Sequence, residues 1–329
     1  MADTQGSNSV FSCGVPNRMS KKKPERTSSG KETTGTGSSF RPSVELWHRI
    51  RKACIFLQLD IVGMGIAGTL VTMVILSLEP SLAPIVVGLV AYGVYVGDRI
   101  SDVRYDPQAT SERSAFIGRH RRLLSITSAG AYGLAITLSA LGGPLALAVT
   151  LVPGVTWILY VVDLSERSLV PLERLKAIFV LNSTLVALAW ATAMVFLPIV
   201  FADAVITPLA IVLAIYFFAD IFVNTEIPNV RDIEDDAQNN VSTFPTVVGV
   251  NRTRHLLYII NMLSILVVVG AFLSGFLPAL FAVVLLAGRV LAVFLNSRIG
   301  RSDDYRRLEL LGEMNYVFVA CGLFIAISG

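Results

Sequence analysis

Residues 204–236 read AVITPLAIVLAIYFFADIFVNTEIPNVRDIEDD, an apolar run over 204–224 that leads into the acidic stretch 229–236. An α-helix needs about 20 predominantly apolar residues to cross the hydrocarbon core of a bilayer. The same arrangement occurs earlier, where the apolar run 82–97 leads into the acidic stretch GDRISDVRYD at 97–106. The two stretches predict a membrane protein that carries carboxylates at the ends of two of its spans.

The composition agrees with this prediction. Of the 329 residues, 53% are hydrophobic and only 16% are charged, and the mean hydropathy is +0.65. Because soluble domains carry about 25% charged residues, this composition is typical of a polytopic membrane protein. The net charge of +3 does not indicate a nucleic-acid partner. Cys13, Cys54 and Cys321 have neither metal-ligand spacing nor a paired framework, so we expect them to be inert.

The apolar runs predict an all-α fold, a bundle of about nine transmembrane helices. Residues 1–42 are rich in Ser, Thr, Gly and Lys and are predicted to form a disordered cytoplasmic tail, whereas residues 43–329 are predicted to form the transmembrane domain. The predicted helices cover 53–78, 82–97, 123–142, 144–162, 175–198, 204–224, 255–275, 277–295 and 309–328.

The distribution of basic residues predicts the orientation. All 27 Lys and Arg fall in the N-terminal region, in or beside the four long polar connections, or at Arg289. The short connections contain none of them. By the positive-inside rule, the N-terminus and both acidic stretches are predicted to face the cytoplasm, in a protein of the cell membrane.

The acidic stretches share one spacing. Asp98, Asp102 and Asp106 recur every fourth residue, as do Asp232 and Asp236. On a helix this spacing places carboxylates on one face, where like charges destabilise the helix unless a cation is bound. Mg²⁺ takes hard oxygen ligands and commonly bridges to substrate phosphates. We therefore predict that these five aspartates hold Mg²⁺ together with a diphosphate group.

The two stretches resemble the motifs of the UbiA-type intramembrane prenyltransferases, a family that includes 4-hydroxybenzoate polyprenyltransferase, menaquinone prenyltransferase, chlorophyll synthase and digeranylgeranylglyceryl phosphate synthase. The resemblance covers residues 45–329. In the first motif, Asn-Asp-x-x-Asp-x-x-x-Asp, Asp102 and Asp106 match the last two aspartates and Asp98 stands where the family has Asn. The stretch from Asn229 to Asp236, with Thr-Phe-Pro at 243–245, is similar to the second motif.

The chain also departs from the family pattern. The Gly and Arg that the family has around the last aspartate of the second motif are absent next to Asp236. Downstream of the first motif, Arg113 and Gly118 are kept but the family's Pro is missing. Between the motifs, Tyr160, Lys176 and Asn182 fall where the family has a Tyr, a basic residue and an Asn near the site.

The resemblance implies a Mg²⁺-dependent transfer of a prenyl group from a polyprenyl diphosphate to a lipophilic acceptor in the membrane. The acceptor would be an aromatic quinone precursor, a glycerophosphate lipid, a carotenoid or a tetrapyrrole. Tyr160 and Lys176 are the implied catalytic residues. The implied diphosphate ligands are Arg113, Lys176, Arg104 and Asn182.

Two other functions are compatible with buried acidic residues. The first is a membrane transporter, which would place functional charges near the middle of the bilayer. The second is a family member that has lost catalysis. Three ionisable residues lie within predicted spans, namely Asp60, Arg289 and Glu313. Because an isolated charge there is costly, we predict an ion pair between Asp60 and Arg289.

Overall fold

The computed structural model describes residues 54–105, 112–161, 179–238 and 241–328. At the margins of these ranges, for example at Asp102, Arg104, Tyr160 and Asn182, it describes the backbone alone. Asp106, Lys176 and the predicted tail 1–42 lie outside the described residues. The helices are α1 Leu59–Ile75, α2 Ala83–Tyr105, α3 Glu112–Ala140, α4 Gly143–Val161, α5 Phe179–Phe201, α6 Pro208–Arg231, α7 Ile233–Gln238, α8 Phe244–Val248, α9 Val250–Leu273, α10 Ala279–Arg298 and α11 Tyr305–Ser328.

The predicted all-α membrane fold is confirmed. Seven helices in the described part of the chain are long and apolar enough to cross a membrane, namely α2, α3, α5, α6, α9, α10 and α11. The helices α1 and α4 are also apolar, but their apolar stretches, Leu59–Ile75 and Gly143–Ile158, are shorter. The prediction of nine spans therefore agrees approximately with seven full-length apolar helices and two shorter ones.

Two helices extend further than their apolar runs. Helix α2 continues to Tyr105 instead of ending near residue 97, and α6 continues to Arg231 instead of ending near residue 224. The predicted ends followed hydropathy, whereas backbone hydrogen bonding continues into polar sequence once a helix has formed. Both acidic stretches consequently begin on the last turns of long helices, and the first stretch is helical from Gly97 to Tyr105.

Helix α6 also shows how the sequence defines a helix start. Thr207 is the N-cap, and its side-chain oxygen accepts a hydrogen bond from the backbone N–H of Ala210 at 3.3 Å. Pro208 follows at the first helical position, where its missing N–H costs nothing. The tight connection after α5 therefore ends at a defined residue, which fixes where α6 enters the bundle.

The helices pack into one bundle in which the first contacts the last. Helix α1 packs against α2, α5 and α11, and α6 packs against α5, α9 and α11. Val71 on α1 and Leu213 on α6 are almost completely buried. Large apolar side chains such as Phe324 and Leu145 are more than half exposed, as expected for a surface that faces lipid.

A buried ion pair lies inside the bundle and corrects one prediction. Asp220 on α6 forms a salt bridge with Arg289 on α10, and both side chains are almost completely buried. Arg289 also donates a hydrogen bond to Asn261 at 3.3 Å and lies 4.4 Å from the centre of the Tyr216 ring. The predicted pairing of Arg289 with Asp60 is wrong, because α10 packs against α6, α9 and α11 and not against the helix that carries Asp60.

Candidate functional site

A cavity of about 340 Å³ is lined by residues of α1 to α7 and of α11. Asp98 from the first acidic stretch lines it, and so do Asp232 and Asp236 from the second. Helix packing thus brings the two stretches to one cavity, although they are far apart in the sequence. The shared spacing suggested that the two stretches face one site. For these three residues, the structure shows that they line the same cavity.

The first acidic stretch enters the cavity from the end of α2. The indole Nε1 of Trp157 on α4 donates a hydrogen bond to Asp98 Oδ1 at 3.3 Å. Asp102 lies one helical turn beyond Asp98 on the same helix, and its side chain lies outside the described residues, as does all of Asp106. The backbone of α2 therefore keeps the four-residue spacing of Asp98 and Asp102 on one continuous helix.

The second acidic stretch lies where α6 ends and the chain turns. Asp232 is the C-cap of α6, and its backbone N–H donates to the carbonyl oxygen of Pro228 at 2.9 Å. The backbone N–H of Asp236 donates to the carbonyl oxygen of Asp232 at 2.8 Å, so the two aspartates are one turn apart. Thr243 donates from Oγ1 to the Asp236 carboxylate at 3.4 Å. This contact connects Asp236 to the start of α8.

A series of ion pairs runs from the second acidic stretch to the first helix. Arg231 donates two hydrogen bonds of 2.6 Å to the carboxylate of Asp232, and a third hydrogen bond to Glu309 on α11. Glu309 also accepts a hydrogen bond from Arg306 at 3.1 Å. Arg306 in turn lies 3.1 Å from the Asp60 carboxylate on α1. The ends of three helices, α6, α11 and α1, are joined in this way, which fixes Arg231 and Arg306 at the cavity wall.

Of the four predicted diphosphate ligands, only Arg113 has a side chain that the structure describes. Arg113, near the start of α3, lines the cavity together with Arg99. The side chains of Arg104 and Asn182, and the whole of Lys176, lie outside the described residues. The same holds for the side chain of Tyr160, which is on α4. Arginine guanidinium groups and carboxylates thus lie at the same end of the cavity. This arrangement is able to bind an anion together with a metal ion.

The deeper part of the cavity is apolar and aromatic. Trp190 on α5 donates from Nε1 to the hydroxyl oxygen of Tyr95 on α2 at 3.0 Å, and their ring centres are 5.8 Å apart. Met64, Val186 and Ile221 line the same region. A cavity with charged groups at one end and apolar groups in its depth suits a ligand with a polar head and a hydrocarbon body.

A buried carboxyl group lies behind the cavity wall. Glu226 on α6 is fully buried, and Ser183 on α5 donates a hydrogen bond to it. The Asn229 side-chain amide, which lines the cavity, donates to Ser183 Oγ at 3.4 Å. The arrangement holds Asn229 in place from behind, because Asn229 reaches the buried carboxyl group through a hydroxyl group.

The carboxylates of the cavity match the ligand type of Mg²⁺. Asp98, Asp232 and Asp236 offer oxygen atoms, and Asn229 offers an amide oxygen. In the described part of the chain, no three acidic, His or Cys side chains are close enough to form a ready metal site. Mg²⁺ keeps several water ligands and is often held by one or two carboxylates plus phosphate, so its binding does not need such a cluster. The donor set therefore fits this ion.

Sequence reasoning missed several residues of the cavity. Gln58, Arg306 and Glu309 gave no motif, although Arg306, Glu309 and Glu313 recur at helical spacing on the polar face of the last apolar run. That spacing was a usable signal. Tyr95, Trp157 and Trp190 had no such signal, because aromatic residues in a membrane span are more often packing residues.

Comparison with known proteins gives a consistent result. The model of the UbiA prenyltransferase family matches residues 61–319. No curated protein sequence matches the chain significantly.

Solved structures provide three comparisons. A UbiA homologue from Archaeoglobus fulgidus bound to GPP and Mg²⁺ has a TM-score of 0.61 at 14% identity, over 83% of this chain and 99% of that one. An apo UbiA homologue from Aeropyrum pernix K1 has a TM-score of 0.59 at 12% identity, over 82% and 97%. Digeranylgeranylglyceryl phosphate synthase has a TM-score of 0.59 at 12% identity, over 86% and 100%. These matches establish a shared fold.

Proposed function

The chain belongs to the UbiA prenyltransferase family, and we propose that it transfers a prenyl group from a polyprenyl diphosphate to a lipophilic acceptor inside a membrane. The observation that carries the proposal is the cavity that joins both acidic stretches to an apolar, aromatic interior. A Mg²⁺–diphosphate head fits the charged end, and a hydrocarbon chain fits the interior. The solved Archaeoglobus fulgidus homologue is bound to GPP and Mg²⁺, which supports the same ligand class here.

The charged end of the cavity has to bind a leaving group with several negative charges. The carboxylates of Asp232 and Asp236 alone would repel that group, so a divalent cation is needed between them. When bound, Mg²⁺ supplies positive charge that stabilises the diphosphate as its bond to the prenyl carbon breaks. We assign its binding to Asp98, Asp102, Asp106, Asp232 and Asp236.

The arginines complete the binding of the diphosphate. Arg99 and Arg113 line the charged end, where a guanidinium group can form paired hydrogen bonds with phosphate oxygens. Arg231 is held by Asp232 and Glu309, so the position of its charge is fixed before a substrate binds. We also assign diphosphate contacts to Arg104, Lys176 and Asn182, and a catalytic role to Tyr160 and Lys176.

The aromatic interior has two tasks in this reaction. It excludes water from the reacting carbon, because Tyr95, Trp157 and Trp190 surround an apolar space. The faces of these rings also attract positive charge, which stabilises the cation-like prenyl group that forms as the diphosphate leaves. The acceptor classes that we propose are an aromatic quinone precursor, a glycerophosphate lipid, a carotenoid or a tetrapyrrole.

A transporter would need charged groups on a path through the bilayer. The ion pair inside the bundle, Asp220 with Arg289, is almost completely buried, and neither residue lines the cavity. This arrangement favours a structural role for the pair, since each charge has a partner of opposite sign. The charges that line the cavity are instead grouped at helix ends, which favours the transferase over the transporter.

The test uses the purified protein in lipid nanodiscs with geranylgeranyl diphosphate, Mg²⁺ and one acceptor from each class. Prenylated product and released diphosphate are measured with and without EDTA. We expect Mg²⁺-dependent product, and a loss of at least about 100-fold in Asp102→Ala, Asp232→Ala and Asp236→Ala. The control is Glu79→Ala, which removes an exposed carboxylate outside the cavity.

Binding of geranylgeranyl diphosphate is measured in the same samples. If binding depends on Mg²⁺ and no acceptor reacts, the diphosphate half of the proposal stands and the acceptor classes are wrong. If the diphosphate does not bind, the proposed function is wrong. Equal loss of activity in Glu79→Ala would show that the aspartate variants act through folding.

A further inference from the structure

Helix α3 lies at the edge of the bundle. In its apolar stretch 22% of the residues are buried, the smallest share among the seven described spans. It packs against α2 and α4. Ser128 donates a hydrogen bond to the carbonyl oxygen of Gly93 on α2 at 2.7 Å, and the hydroxyl groups of Thr127 and Tyr92 are 3.0 Å apart. One side of α3 is thus attached to α2, and the other side faces away from the described bundle.

The outward side of α3 carries two arginines directly above two large apolar residues. Four exposed residues lie three, four or seven positions apart and therefore adjoin on one helix face, namely Arg119, Arg122, Leu123 and Ile126. We call these four residues the outer patch. Leu123 is 59% exposed and Ile126 is 61% exposed. The buried residues of α3 lie on the opposite side of the helix.

The length of α3 places the outer patch at the membrane boundary. The helix has no charged residue from Leu123 to Ala140, a distance of about 27 Å at 1.5 Å per residue. The hydrocarbon core of a bilayer is about 30 Å thick. When this stretch spans the core, Arg119 and Arg122 lie at the level of the lipid phosphate groups, and Leu123 and Ile126 lie just inside the hydrocarbon.

The positive charge of the outer patch is not neutralised within the described part of the chain. The side chains of Arg119 and Arg122 form no ion pair or hydrogen bond with other described residues. Glu112 is the one acidic residue of α3, and it precedes Arg119 by two helical turns, about 10 Å. Arg121, which is also exposed, adds a third positive charge beside the patch. The patch therefore attracts an anion from outside the bundle.

The apolar half of the patch specifies what kind of anion fits. A ligand that covers the whole patch needs an anionic head for the arginines and a hydrocarbon part for Leu123 and Ile126. A guanidinium group forms paired hydrogen bonds with phosphate oxygens, so a phosphate head suits the arginines. Gly130 and Gly133 continue the same face, and the space beside both is open, so a hydrocarbon chain can lie along the helix. A phospholipid combines these features.

We propose that the outer patch is a binding site for an anionic phospholipid, whose phosphate pairs with Arg119 and Arg122 and whose acyl chain covers Leu123 and Ile126. A lipid with a net negative head is favoured over a zwitterionic one, because the ammonium group of a zwitterionic head offsets the charge of its phosphate. The proposal is independent of prenyl transfer, since no residue of the patch lines the cavity.

The test places a fluorescent reporter inside the patch. Leu123→Trp introduces a tryptophan at an exposed position, and the full-length variant is reconstituted in phosphatidylcholine vesicles. Brominated lipids quench the fluorescence of a tryptophan that they contact. The protein without the substitution measures quenching of the three native tryptophans, which is subtracted. We expect brominated phosphatidylglycerol to occupy the patch at least about tenfold more favourably than brominated phosphatidylcholine, since each arginine near the surface adds to the attraction.

Two charge-matched pairs of substitutions are then compared in the Leu123→Trp protein. Arg119→Gln with Arg122→Gln removes both charges of the patch and keeps long polar side chains at exposed positions. It should make the two brominated lipids equally effective. Arg252→Gln with Arg301→Gln removes two exposed charges elsewhere and should keep the preference. Ile126→Trp repeats the measurement one turn deeper and should show the same preference as Leu123→Trp.

Three results would overturn the proposal. The first is equal quenching by the two lipids when both arginines are present. The second is an equal loss of preference in the two pairs of substitutions, which would assign the preference to the overall charge of the protein. The third is full recovery of the fluorescence on adding inorganic phosphate at constant ionic strength, which would make the patch a site for small anions.

Discussion

The guanidinium group of Arg306 lies 3.1 Å from the carboxylate of Asp60, so an ion pair joins the last helix of the bundle to the first. The same arginine pairs with Glu309, which binds Arg231 next to Asp232. The second acidic stretch is thus connected to both ends of the transmembrane bundle. A substitution at any of these positions should therefore affect both the cavity and the closure of the bundle.

The coupling between Asp60 and Arg306 can be measured directly. Arg306→Met should lower the free energy of unfolding by about 1–3 kcal/mol, because it leaves the mostly buried Asp60 carboxylate without its counter-charge. Asp60→Asn removes the other member of the pair. Since the residues are in contact, the double variant should be less destabilised than the sum of the single variants. Thermal unfolding of the purified variants in detergent measures this, and additive effects would contradict the coupling.

The pair of Asp220 and Arg289 should be more sensitive. Arg289→Met leaves a buried carboxylate without its counter-charge, and we expect a loss of about 3–5 kcal/mol in the free energy of unfolding. Adding Asp220→Asn removes that charge and should restore part of the stability. Arg301→Met, at an exposed position, is the matched control. The structural assignment would be wrong if Arg289→Met were no less stable than this control.

Arg231 should be intolerant of a conservative change. Its guanidinium group makes paired hydrogen bonds with Asp232 and a third with Glu309, and the single ammonium group of lysine cannot reproduce this geometry. We expect Arg231→Lys to weaken Mg²⁺-dependent binding of geranylgeranyl diphosphate by about tenfold. Equilibrium binding in nanodiscs measures the change. Arg252→Lys, at an exposed position on α9, should bind as the unaltered protein does.

Trp190 should limit the length of the prenyl chain. Its ring lines the deep part of the cavity, where Tyr95 fixes it by a hydrogen bond of 3.0 Å. Removing the ring in Trp190→Ala leaves space that a longer hydrocarbon chain can fill. We expect the preference among C10, C15 and C20 diphosphates to shift toward the longer ones, by about tenfold in relative affinity. Competition binding with the three diphosphates measures the shift.

A control separates cavity size from general loosening of the bundle. Phe276→Ala removes an aromatic ring that is about half exposed and lies outside the cavity. It should keep the chain-length preference of the unaltered protein. If both variants shifted the preference alike, Trp190 would have no special role in the cavity.

The sequence predicted the fold class well because its signals are local. Apolar runs of membrane length and the placement of Lys and Arg follow from the cost of burying polar groups in lipid, which each segment meets by itself. Because hydropathy is a local property, it also explains why the predicted ends of α2 and α6 were wrong. Hydropathy falls at Asp98 and after Asn224, but the backbone of α2 and α6 remains helical through the polar sequence that follows.

Part of the candidate site could also be predicted from spacing. The four-residue interval between Asp98 and Asp102, and between Asp232 and Asp236, is a property of the helix and needs no tertiary information. The family motifs strengthened this prediction. The roles of all the site residues remain predictions. The structure places Asp98, Arg113, Asp232 and Asp236 at the cavity, whereas the side chains of Asp102, Asp106, Tyr160, Lys176, Arg104 and Asn182 lie outside the described residues.

The partners of the charged groups depended on the tertiary structure. Asp60 and Arg289 are both ionisable groups within spans, and nothing in the residues around them indicates other partners. In the structure, Asp60 pairs with Arg306 and Arg289 pairs with Asp220, because α1 packs against α11 and α10 packs against α6. A contact between residues that are remote in the sequence is set by which helices are neighbours, and hydropathy contains no information about that.

The sequence by itself determined that the chain is a helical membrane protein with two carboxylate clusters at helix ends, since hydropathy, charge placement and helical spacing are local properties. Only the tertiary structure decided that Asp98 meets Asp232 and Asp236 at one cavity, and that Gln58, Tyr95 and Trp190 line it. The cavity exists because helices that are remote in the sequence pack around it, and the rotation of each helix within the bundle determines which of its side chains face the cavity.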